Sequence, residues 1–150
     1  MLGQFLVGFA SSVCNIVIHA LVMAVVIRTA QFVGAKKTLH PMLLLVSGMV
    51  ATVSVLMSAH ALEVIVWSLV YAIVDAAPRG TDLVYFAFVN YTTLGYGDVV
   101  PIERWRLLGP MTAMNGVLLF GWSTAVIFEV LRRGLIRTSA VVTIGPDVKE

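Results

Sequence analysis

The chain has 150 residues, of which 59% are hydrophobic and 12% are charged, and its formal net charge is +2. Soluble domains carry about 25% charged residues, so this composition excludes an ordinary soluble domain. The small net charge argues against a nucleic-acid-binding protein, which needs a strongly basic surface. A mean hydropathy of +0.96 indicates instead that the chain is surrounded by lipid.

Charged residues are absent from three long segments and from one short one. The long segments cover residues 1–27, 38–62 and 107–128, and after Glu63 the second continues to residue 74. About 20 apolar residues span the hydrocarbon core, so each long segment is predicted to cross the membrane as a helix. The short segment, residues 83–97, cannot cross and is predicted to enter the membrane and return. We therefore predict an all-α integral membrane protein with three transmembrane helices and one re-entrant segment.

The predicted organisation is a transmembrane helix (1–33), a loop (34–41), a helix–re-entrant segment–helix module (42–133) and a short tail (134–150). The loop and the tail are basic, whereas acidic residues offset the basic ones around the re-entrant segment. By the positive-inside rule the loop and the tail are cytoplasmic, and the N-terminus and the re-entrant segment face outward. The first segment lacks the basic start of a cleaved signal peptide, so we expect its helix to be retained.

The re-entrant segment contains the residues with the clearest chemistry. Thr81 or Asp82 is expected to cap a short helix that runs to about Thr92. Residues 93–97 follow, with two glycines spaced by one residue, and glycine permits the positive φ that lets successive carbonyls point the same way. A row of such carbonyls with a threonine hydroxyl provides oxygen ligands for a dehydrated cation. The negative end of the short helix and the carboxylate of Asp98 favour the same cation.

Residues 92–98, Thr-Thr-Leu-Gly-Tyr-Gly-Asp, resemble the selectivity filter of the potassium channel family, whose signature is T-T-V-G-Y-G-D. Leu94 is the one departure, and its side chain is expected to pack behind the filter. The resemblance covers residues 55–131, and it implies an outer helix, a pore helix with its filter and an inner helix, assembled as a homotetramer. The chain would be a minimal channel with one extra N-terminal helix. A tight turn, the alternative for Gly-Tyr-Gly-Asp, is typical of soluble proteins.

The resemblance implies a role for each residue of the loop. Four backbone carbonyls and the Thr93 hydroxyl would coordinate K⁺, the one cofactor expected: Thr93, Leu94, Gly95 and Tyr96. Support for these carbonyls, and the outer mouth, would come from a second group: Tyr85, Phe86, Thr92, Tyr96, Gly97 and Asp98. Many relatives hold the filter aspartate with a glutamate of the pore helix. Val89 occupies that position here, so we expect Asn90 or Trp105 to replace the glutamate.

The last helix contains candidate cavity and gate residues. Four of them share one helix face: Val117, Phe120, Thr124 and Phe128. If this face lines a water-filled cavity, Phe128 is the candidate constriction that gates by dewetting. The alternative is that these side chains pack against other helices. Gly116 is expected to act as a hinge, as in the family, and Gly121 to allow close helix packing.

The second helix contains a row of polar and aromatic residues at helical spacing: His60, Glu63, Trp67, Tyr71 and Asp75. An ionisable residue at membrane depth is costly unless it is paired. His60 lies one turn from Glu63 and is expected to pair with it. The pair is either a structural brace between helices or a proton-sensitive element, because histidine titrates near neutral pH. His19 is expected to be a packed polar residue, and Cys14 a buried small one.

Three functions remain open. The first is a passive potassium channel of the cell membrane, in contact with lipids and with no further partner subunit evident. The second is a subunit related to potassium-uptake transporters, although those chains usually carry four different loops with degenerate filters. The third is a non-conducting accessory membrane protein. An enzyme is not expected, because the sequence contains no glycine-rich phosphate loop, metal cluster or nucleophile–base arrangement.

Overall fold

The computed structural model describes residues 1–33 and 41–143. Four α-helices follow one another in the chain: α1 (Leu2–Val33), α2 (Pro41–Ile73), α3 (Leu83–Tyr91) and α4 (Leu108–Thr143). A 3₁₀ turn, Glu103–Trp105, precedes α4. The described part of the chain contains no strand, which confirms the predicted all-α class. The predicted loop 34–41 lies almost entirely outside the described residues.

Three segments are long and apolar enough to cross a membrane: Leu2–Arg28, Met42–Ile73 and Glu103–Ile136. They correspond to the three predicted spans, because the charge-free runs of the sequence form their centres. Large apolar side chains remain exposed on their outer faces, as at Phe9 (67%), Val50 (62%) and Leu118 (60%). Exposed apolar surface on this scale needs lipid or another subunit against it. The chain is therefore a multi-pass membrane protein.

The four helices form one bundle. Helices α1, α2 and α4 pack against one another, and the short α3 packs against both α2 and α4. The re-entrant helix therefore lies in the angle between the two long helices of the predicted module 42–133. The boundaries of the four predicted segments stay predictions, but α4 continues beyond Arg133 to Thr143, so the first part of the predicted tail is helical.

Aromatic side chains join α2 to α3. Trp67 and Tyr71 of α2, and Phe86 and Tyr91 of α3, are each buried to at least 99%. The ring centroids of Tyr71 and Phe86 lie 5.0 Å apart. Because lipid chains are as apolar as these side chains, close packing rather than the hydrophobic effect favours such contacts inside a membrane. This packing positions α3 relative to the long helices.

Helix α1 turns a polar face toward the rest of the bundle. Ser11, Asn15 and His19 are spaced by four residues, so they share one face, and all three are buried. His19 is thus buried, as expected. Cys14 was expected to be buried and is exposed instead. Cysteine as a residue type is usually buried. In α1, however, the face with Ser11, Asn15 and His19 packs against the other helices, and Cys14 lies outside that face.

Candidate functional site

The re-entrant helix α3 begins at a carboxylate cap. Oδ1 of Asp82 accepts hydrogen bonds from the backbone N–H groups of Val84 (3.0 Å) and Tyr85 (3.1 Å). These N–H groups have no partner within the helix, so the cap stabilises its first turn. The structure thus selects Asp82 over Thr81 as the cap. The helix ends at Tyr91, one residue before the predicted end.

Three backbone hydrogen bonds lead the chain out of α3. They run from the N–H groups of the next three residues to carbonyls of the last turn: Thr92 to Phe88 (2.9 Å), Thr93 to Asn90 (3.0 Å) and Leu94 to Val89 (3.0 Å). The Thr92 hydroxyl also donates to the Phe88 carbonyl, over 2.7 Å. The carbonyls at a helix end would otherwise lack partners. Segment 93–97 therefore starts from a fixed position at the end of α3.

The backbone of segment 93–97 alternates between left-handed and ordinary conformations. Thr93, Gly95 and Gly97 have φ of +60°, +58° and +78°, whereas Leu94 and Tyr96 between them keep negative φ. Alternation of this kind lets successive carbonyls face the same side. The two glycines were predicted to supply positive φ, but Thr93 was not. A left-handed non-glycine residue costs about 1–2 kcal/mol, and such strain is concentrated at functional sites.

The same segment is exposed in the single chain. Every residue from 92 to 98 is exposed, including the large side chains of Leu94 (53%) and Tyr96 (68%). The single chain therefore does not place Leu94 in the packed position that was expected behind the filter. The side chains that surround Leu94 and Tyr96 must come from outside this chain if they are to be buried.

Tyr85 holds the aspartate at the far end of the segment. Its hydroxyl donates a hydrogen bond to Oδ2 of Asp98 over 2.7 Å. The carboxylate that accepts this bond raises the pKa of the Tyr85 hydroxyl, because ionisation would break the bond and place two negative charges together. Tyr85 is therefore the residue that holds Asp98 within the described chain. It lies one turn before Val89, the position at which the resemblance leads one to expect a glutamate.

The two residues expected to replace the glutamate make other contacts. The side-chain amide of Asn90 donates to the Phe86 carbonyl over 3.1 Å, within its own helix. The ring of Trp105 is covered by the guanidinium of Arg104, at 5.7 Å from the ring centroid. The expectation for Asn90 and Trp105 is therefore wrong. Within the chain Asp98 accepts its hydrogen bond from Tyr85, and the Asn90 amide bonds a carbonyl of its own helix.

The two glycines of the inner helix have the opposite environments to those expected. A side chain added at Gly116 would collide with the carbonyl oxygen of Tyr91, and its Cβ would lie 3.0 Å from the carbonyl carbon. Nothing in the described chain lies within 4 Å of a Cβ added at Gly121. Gly116 is thus the glycine that allows close packing, here of α4 against the end of α3. Its assignment as a hinge, and that of Gly121 to packing, are not supported within the chain.

The candidate gate face of α4 is only partly covered. Val117, Thr124 and Phe128 are exposed, Phe128 to 66%. Phe120 is less exposed, at 37%, and its ring centroid lies 4.6 Å from that of His60 and 5.4 Å from that of Tyr91. The face therefore combines exposed positions, as a cavity wall requires, with one residue that also serves packing.

His60 and Glu63 meet as expected, and His19 joins them. His60 Nδ1 lies 3.0 Å from Oε2 of Glu63, and His19 Nδ1 lies 2.7 Å from Oε1 of the same carboxylate. His19 and Glu63 are fully buried. His19 was expected to be a packed polar residue, but its contact with Glu63 was not predicted. The four-residue spacing of Ser11, Asn15 and His19 was the signal that α1 turns a polar face toward α2.

Two hydroxyl groups complete the group of side chains. The Tyr91 hydroxyl donates to Oε2 of Glu63 and lies 2.9 Å from His60 Nδ1. Oγ of Ser123 lies 2.9 Å from His60 Nε2 and 3.3 Å from His19 Nε2. We call these five residues, His19, His60, Glu63, Tyr91 and Ser123, the polar cluster. It joins all four helices directly behind the end of α3.

The cluster contains residue types that bind divalent metals. One ligand atom from each of His19, His60 and Glu63 lies within 4.8 Å of the others. The two nitrogen–carboxylate distances of 2.7 and 3.0 Å are hydrogen-bond distances. Ligands of a tetrahedral zinc ion, bonded at about 2.0–2.2 Å, lie roughly 3.4 Å apart. The three side chains are therefore arranged as a hydrogen-bonded cluster rather than as a metal site. Segment 93–97 remains the candidate pathway for a cation.

Comparison with known proteins agrees with this geometry. A family model described as an ion channel matches residues 59–133, half of the chain, and so includes the second half of α2 from residue 59, all of α3 and segment 93–97, and α4 as far as residue 133. No curated protein and no solved structure matches the chain. The matched region lies within the predicted module 42–133 and contains residues 92–98, which resemble a filter. The chain belongs to the ion channel family, as a pore domain of the two-transmembrane type that is preceded here by α1.

Proposed function

We propose that the protein is a potassium-selective channel that conducts K⁺ passively through a filter formed by residues 93–97 of four identical subunits. The observation that carries this proposal is the left-handed backbone at Thr93, Gly95 and Gly97. Alternation at these positions favours carbonyl oxygens in a row, which is the arrangement that replaces the hydration shell of K⁺. The carbonyls of residues 93–96 and the Thr93 hydroxyl are the proposed ligands.

Electrostatics favour a cation at the same place. The backbone dipoles of α3 sum to a partial negative charge at its C-terminal end, near Tyr91, where segment 93–97 begins. Asp98 adds a carboxylate at the other end of the segment, and Tyr85 holds it there. A dehydrated monovalent cation is therefore attracted at both ends of segment 93–97. Between those ends its ligands are neutral carbonyl oxygens, so no full negative charge holds it tightly. Conduction needs such weak binding at several sites.

Exposure of the segment supports assembly into a homotetramer. One chain supplies one loop, whereas a cation without its water needs oxygen ligands on all sides. Leu94 and Tyr96 are exposed at 53% and 68% in the single chain, so their surroundings are left for neighbouring subunits. Three further copies around one axis would cover these side chains and close the ring of carbonyls. Membrane lipids would contact the remaining apolar faces.

The orientation in the cell membrane follows from the charges of the loops. Arg28, Lys36 and Lys37 precede α2, and Arg132, Arg133 and Arg137 lie in the last part of α4. Two spans separate these regions, so both lie on the same side of the membrane, and positive residues favour the cytoplasmic side. The N-terminus and Asp98 would then face outward. Ions entering from outside would meet the carboxylate of Asp98 first.

Flux into or out of liposomes tests the proposal directly. The purified protein is reconstituted into liposomes loaded with K⁺, and efflux is measured without an energy source. We expect efflux that is selective for K⁺ over Na⁺ and is blocked by Ba²⁺. Non-selective efflux would leave the ion channel assignment in place and overturn the selectivity. Absence of efflux from a verified tetramer would favour an accessory membrane protein, and efflux that requires ATP or the gradient of a second ion would favour a transporter.

Two glycine substitutions provide a matched pair. Gly95→Ala introduces a Cβ at φ +58° within the segment, and Gly80→Ala introduces one at φ +84° in the loop before α3. Both positions are free of contacts within 3.5 Å, so the conformational penalty, about 1–2 kcal/mol, is similar. We expect Gly95→Ala to abolish selective flux and Gly80→Ala to retain it. Equal loss in both variants would show that backbone strain in general, rather than segment 93–97, controls conduction.

A further inference from the structure

The polar cluster lies behind the proposed filter. Its hydrogen bonds require more hydrogens than its side chains carry when both histidines are neutral and Glu63 is ionised. Its titratable members among the described residues are His19 from α1, His60 and Glu63 from α2, and Tyr91 from α3, while α4 contributes the hydroxyl of Ser123. Three of these side chains have less than 2% exposure: His19, Glu63 and Tyr91. Water is therefore largely excluded as an alternative donor or acceptor.

Five contacts each need one hydrogen when Glu63 is ionised. Three of them end at its carboxylate, from His19 Nδ1, His60 Nδ1 and the Tyr91 hydroxyl. The other two join Ser123 Oγ to His60 Nε2 and to His19 Nε2. The sixth contact, between His60 Nδ1 and Tyr91, shares a hydrogen already counted. Each ring nitrogen is thus placed against an oxygen with which it must form a hydrogen bond.

The groups supply only four hydrogens in the neutral state. Each neutral imidazole carries one, and the hydroxyl groups of Tyr91 and Ser123 carry one each. Whichever tautomers are chosen, one of the five contacts then lacks a hydrogen. Where that contact joins His60 Nδ1 to Glu63, the single hydrogen of the Tyr91 hydroxyl has to serve both Nδ1 and Oε2, which lie 3.0 Å apart. One additional proton removes this conflict, because the serine hydroxyl then accepts from one Nε2 and donates to the other. The same proton balances the charge of Glu63, which would otherwise be a buried and unpaired carboxylate.

We propose that the polar cluster is a binding site for one excess proton, held at neutral pH between His19, Glu63 and His60. The proton keeps the cluster electrically neutral inside the membrane, where an unpaired charge is costly. A divalent metal ion would leave a net positive charge beside the single carboxylate, and the nitrogen–carboxylate distances of 2.7 and 3.0 Å match hydrogen bonds. The observations therefore favour the proton over a metal.

The cluster is connected to the proposed filter through Tyr91. Tyr91 is the last residue of α3, its hydroxyl bonds Glu63, and its carbonyl packs against Gly116 of α4. When the pH rises and the proton is lost, the cluster has a net negative charge and one repulsive contact. The cluster then holds Tyr91 less firmly. This consequence rests on the proposed function: K⁺ flux is expected to be highest with the proton bound and to fall as the pH rises.

Histidine NMR tests the proton count without any flux measurement. His40, the third histidine, lies outside the described residues, so His40→Asn leaves His19 and His60 as the only imidazoles. With ¹⁵N-labelled histidine in lipid bilayers near neutral pH, we expect three of the four ring nitrogens to carry a hydrogen. Glu63→Gln removes the carboxylate charge at almost constant shape, and we expect it to lower the number to two. Two hydrogens in the His40→Asn protein itself would overturn the proposal.

Metal analysis and flux complete the experiment. One equivalent of zinc or another divalent metal per purified chain would also overturn the proposal, and its absence is expected. Between about pH 6 and pH 9, below the range in which tyrosine ionises, we expect K⁺ flux to fall about tenfold in the wild type and to stay flat in Glu63→Gln. A flat wild-type profile would overturn the link to conduction. Three ring hydrogens in a protein with no flux at any pH would support the proton site and count against the proposed channel.

Discussion

The hydroxyl of Tyr85 donates a hydrogen bond to Oδ2 of Asp98 over 2.7 Å, and so the first turn of α3 holds the residue that follows segment 93–97. The opposite end of that segment is fixed by the hydrogen bonds at the end of α3. Both ends of the proposed filter are therefore attached to the same short helix. The position of the filter depends on how firmly α3 itself is held.

Tyr85→Phe is expected to shorten the lifetime of the conducting state severalfold. The substitution removes the hydroxyl and keeps the ring, so Asp98 loses its bond while the packing at the start of α3 is maintained. The measurement is the decay of K⁺ current or flux after activation. Asp98→Asn is the matched variant, because an amide oxygen still accepts the bond, and we expect a smaller effect from it. A larger effect of Asp98→Asn would show that the charge matters more than the bond.

The effect of Tyr85→Phe is expected to depend on pH only in the alkaline range. Asp98 raises the pKa of Tyr85 above the ordinary value of about 10. The bond requires the protonated hydroxyl, so its contribution is fully present below pH 10 and is lost as the pH rises through the raised pKa. Wild type and Tyr85→Phe should differ by a constant factor between about pH 7 and pH 9 and converge above about pH 10. Convergence already near pH 8 would contradict this relationship.

Gly116→Ala is expected to destabilise the protein, whereas Gly121→Ala is not. The added methyl at Gly116 meets the Tyr91 carbonyl, which belongs to the backbone and cannot rotate away. Overpacking of this kind costs about 1–3 kcal/mol, and in a chain of this size each kcal/mol lowers the midpoint of thermal unfolding by about 2–4 °C. The measurement is thermal unfolding in detergent, with K⁺ flux as a second readout. Equal midpoints for the two variants would restore Gly116 as a possible hinge.

Much of the fold could be predicted from where charge is absent. A segment of apolar residues long enough to cross the bilayer has few alternatives to a helix, because backbone groups in lipid need internal partners. The same reasoning, applied to a segment too short to cross, located α3 and the loop after it. Asp82 and the two glycines of segment 93–97 are local signals, and their consequences are visible without tertiary structure.

Beyond the pair of His60 and Glu63, the contacts of the polar cluster and the environments of Gly116 and Gly121 could not be predicted in the same way. Which faces of α1 and α2 meet is decided by packing of all four helices, and the apolar residues around each helix give almost no preference. His19 and Glu63 lie far apart in the chain, so no spacing rule joins them. Thr93 is a further case: its left-handed backbone follows from the hydrogen bonds at the end of α3 rather than from its residue type.

Asn115 is expected to couple α1, α2 and α4 through its amide oxygen. Oδ1 of Asn115 accepts from Trp67 Nε1 at 3.0 Å and from Asn15 Nδ2 at 3.1 Å, and all three residues are buried. Asn115→Leu leaves the buried Trp67 Nε1 without a partner, which costs about 1–3 kcal/mol in general, whereas Asn15 Nδ2 keeps its bond to the Glu63 carbonyl at 3.2 Å. In a double-mutant cycle with Trp67→Phe we expect a coupling energy between about 0.6 and 1.7 kcal/mol, the average and the largest value for hydrogen bonds between membrane helices. Reversible unfolding in mixed micelles, followed by fluorescence, provides the free energies, and additive effects would show that the bond contributes nothing.

Phe128→Ala is expected to raise basal K⁺ flux severalfold. Phe128 is 66% exposed in the single chain and lies on the helix face of Val117 and Thr124, so four copies around an axis would narrow the cavity at its level. A ring of phenylalanine side chains excludes water, and without water a cation does not pass. The measurement is efflux from liposomes at equal numbers of tetramers, in the absence of any activating condition.

Leu118→Ala is the control for this prediction. Leu118 is exposed to a similar degree, 60%, but it follows Val117 directly and is therefore turned away from the gate face. Both substitutions remove a large apolar side chain from α4, so a general loosening of the helix would raise flux equally in the two variants. An increase confined to Phe128→Ala places the constriction at that residue. Unchanged flux in Phe128→Ala would remove it as the gate and leave α4 to be closed at another level.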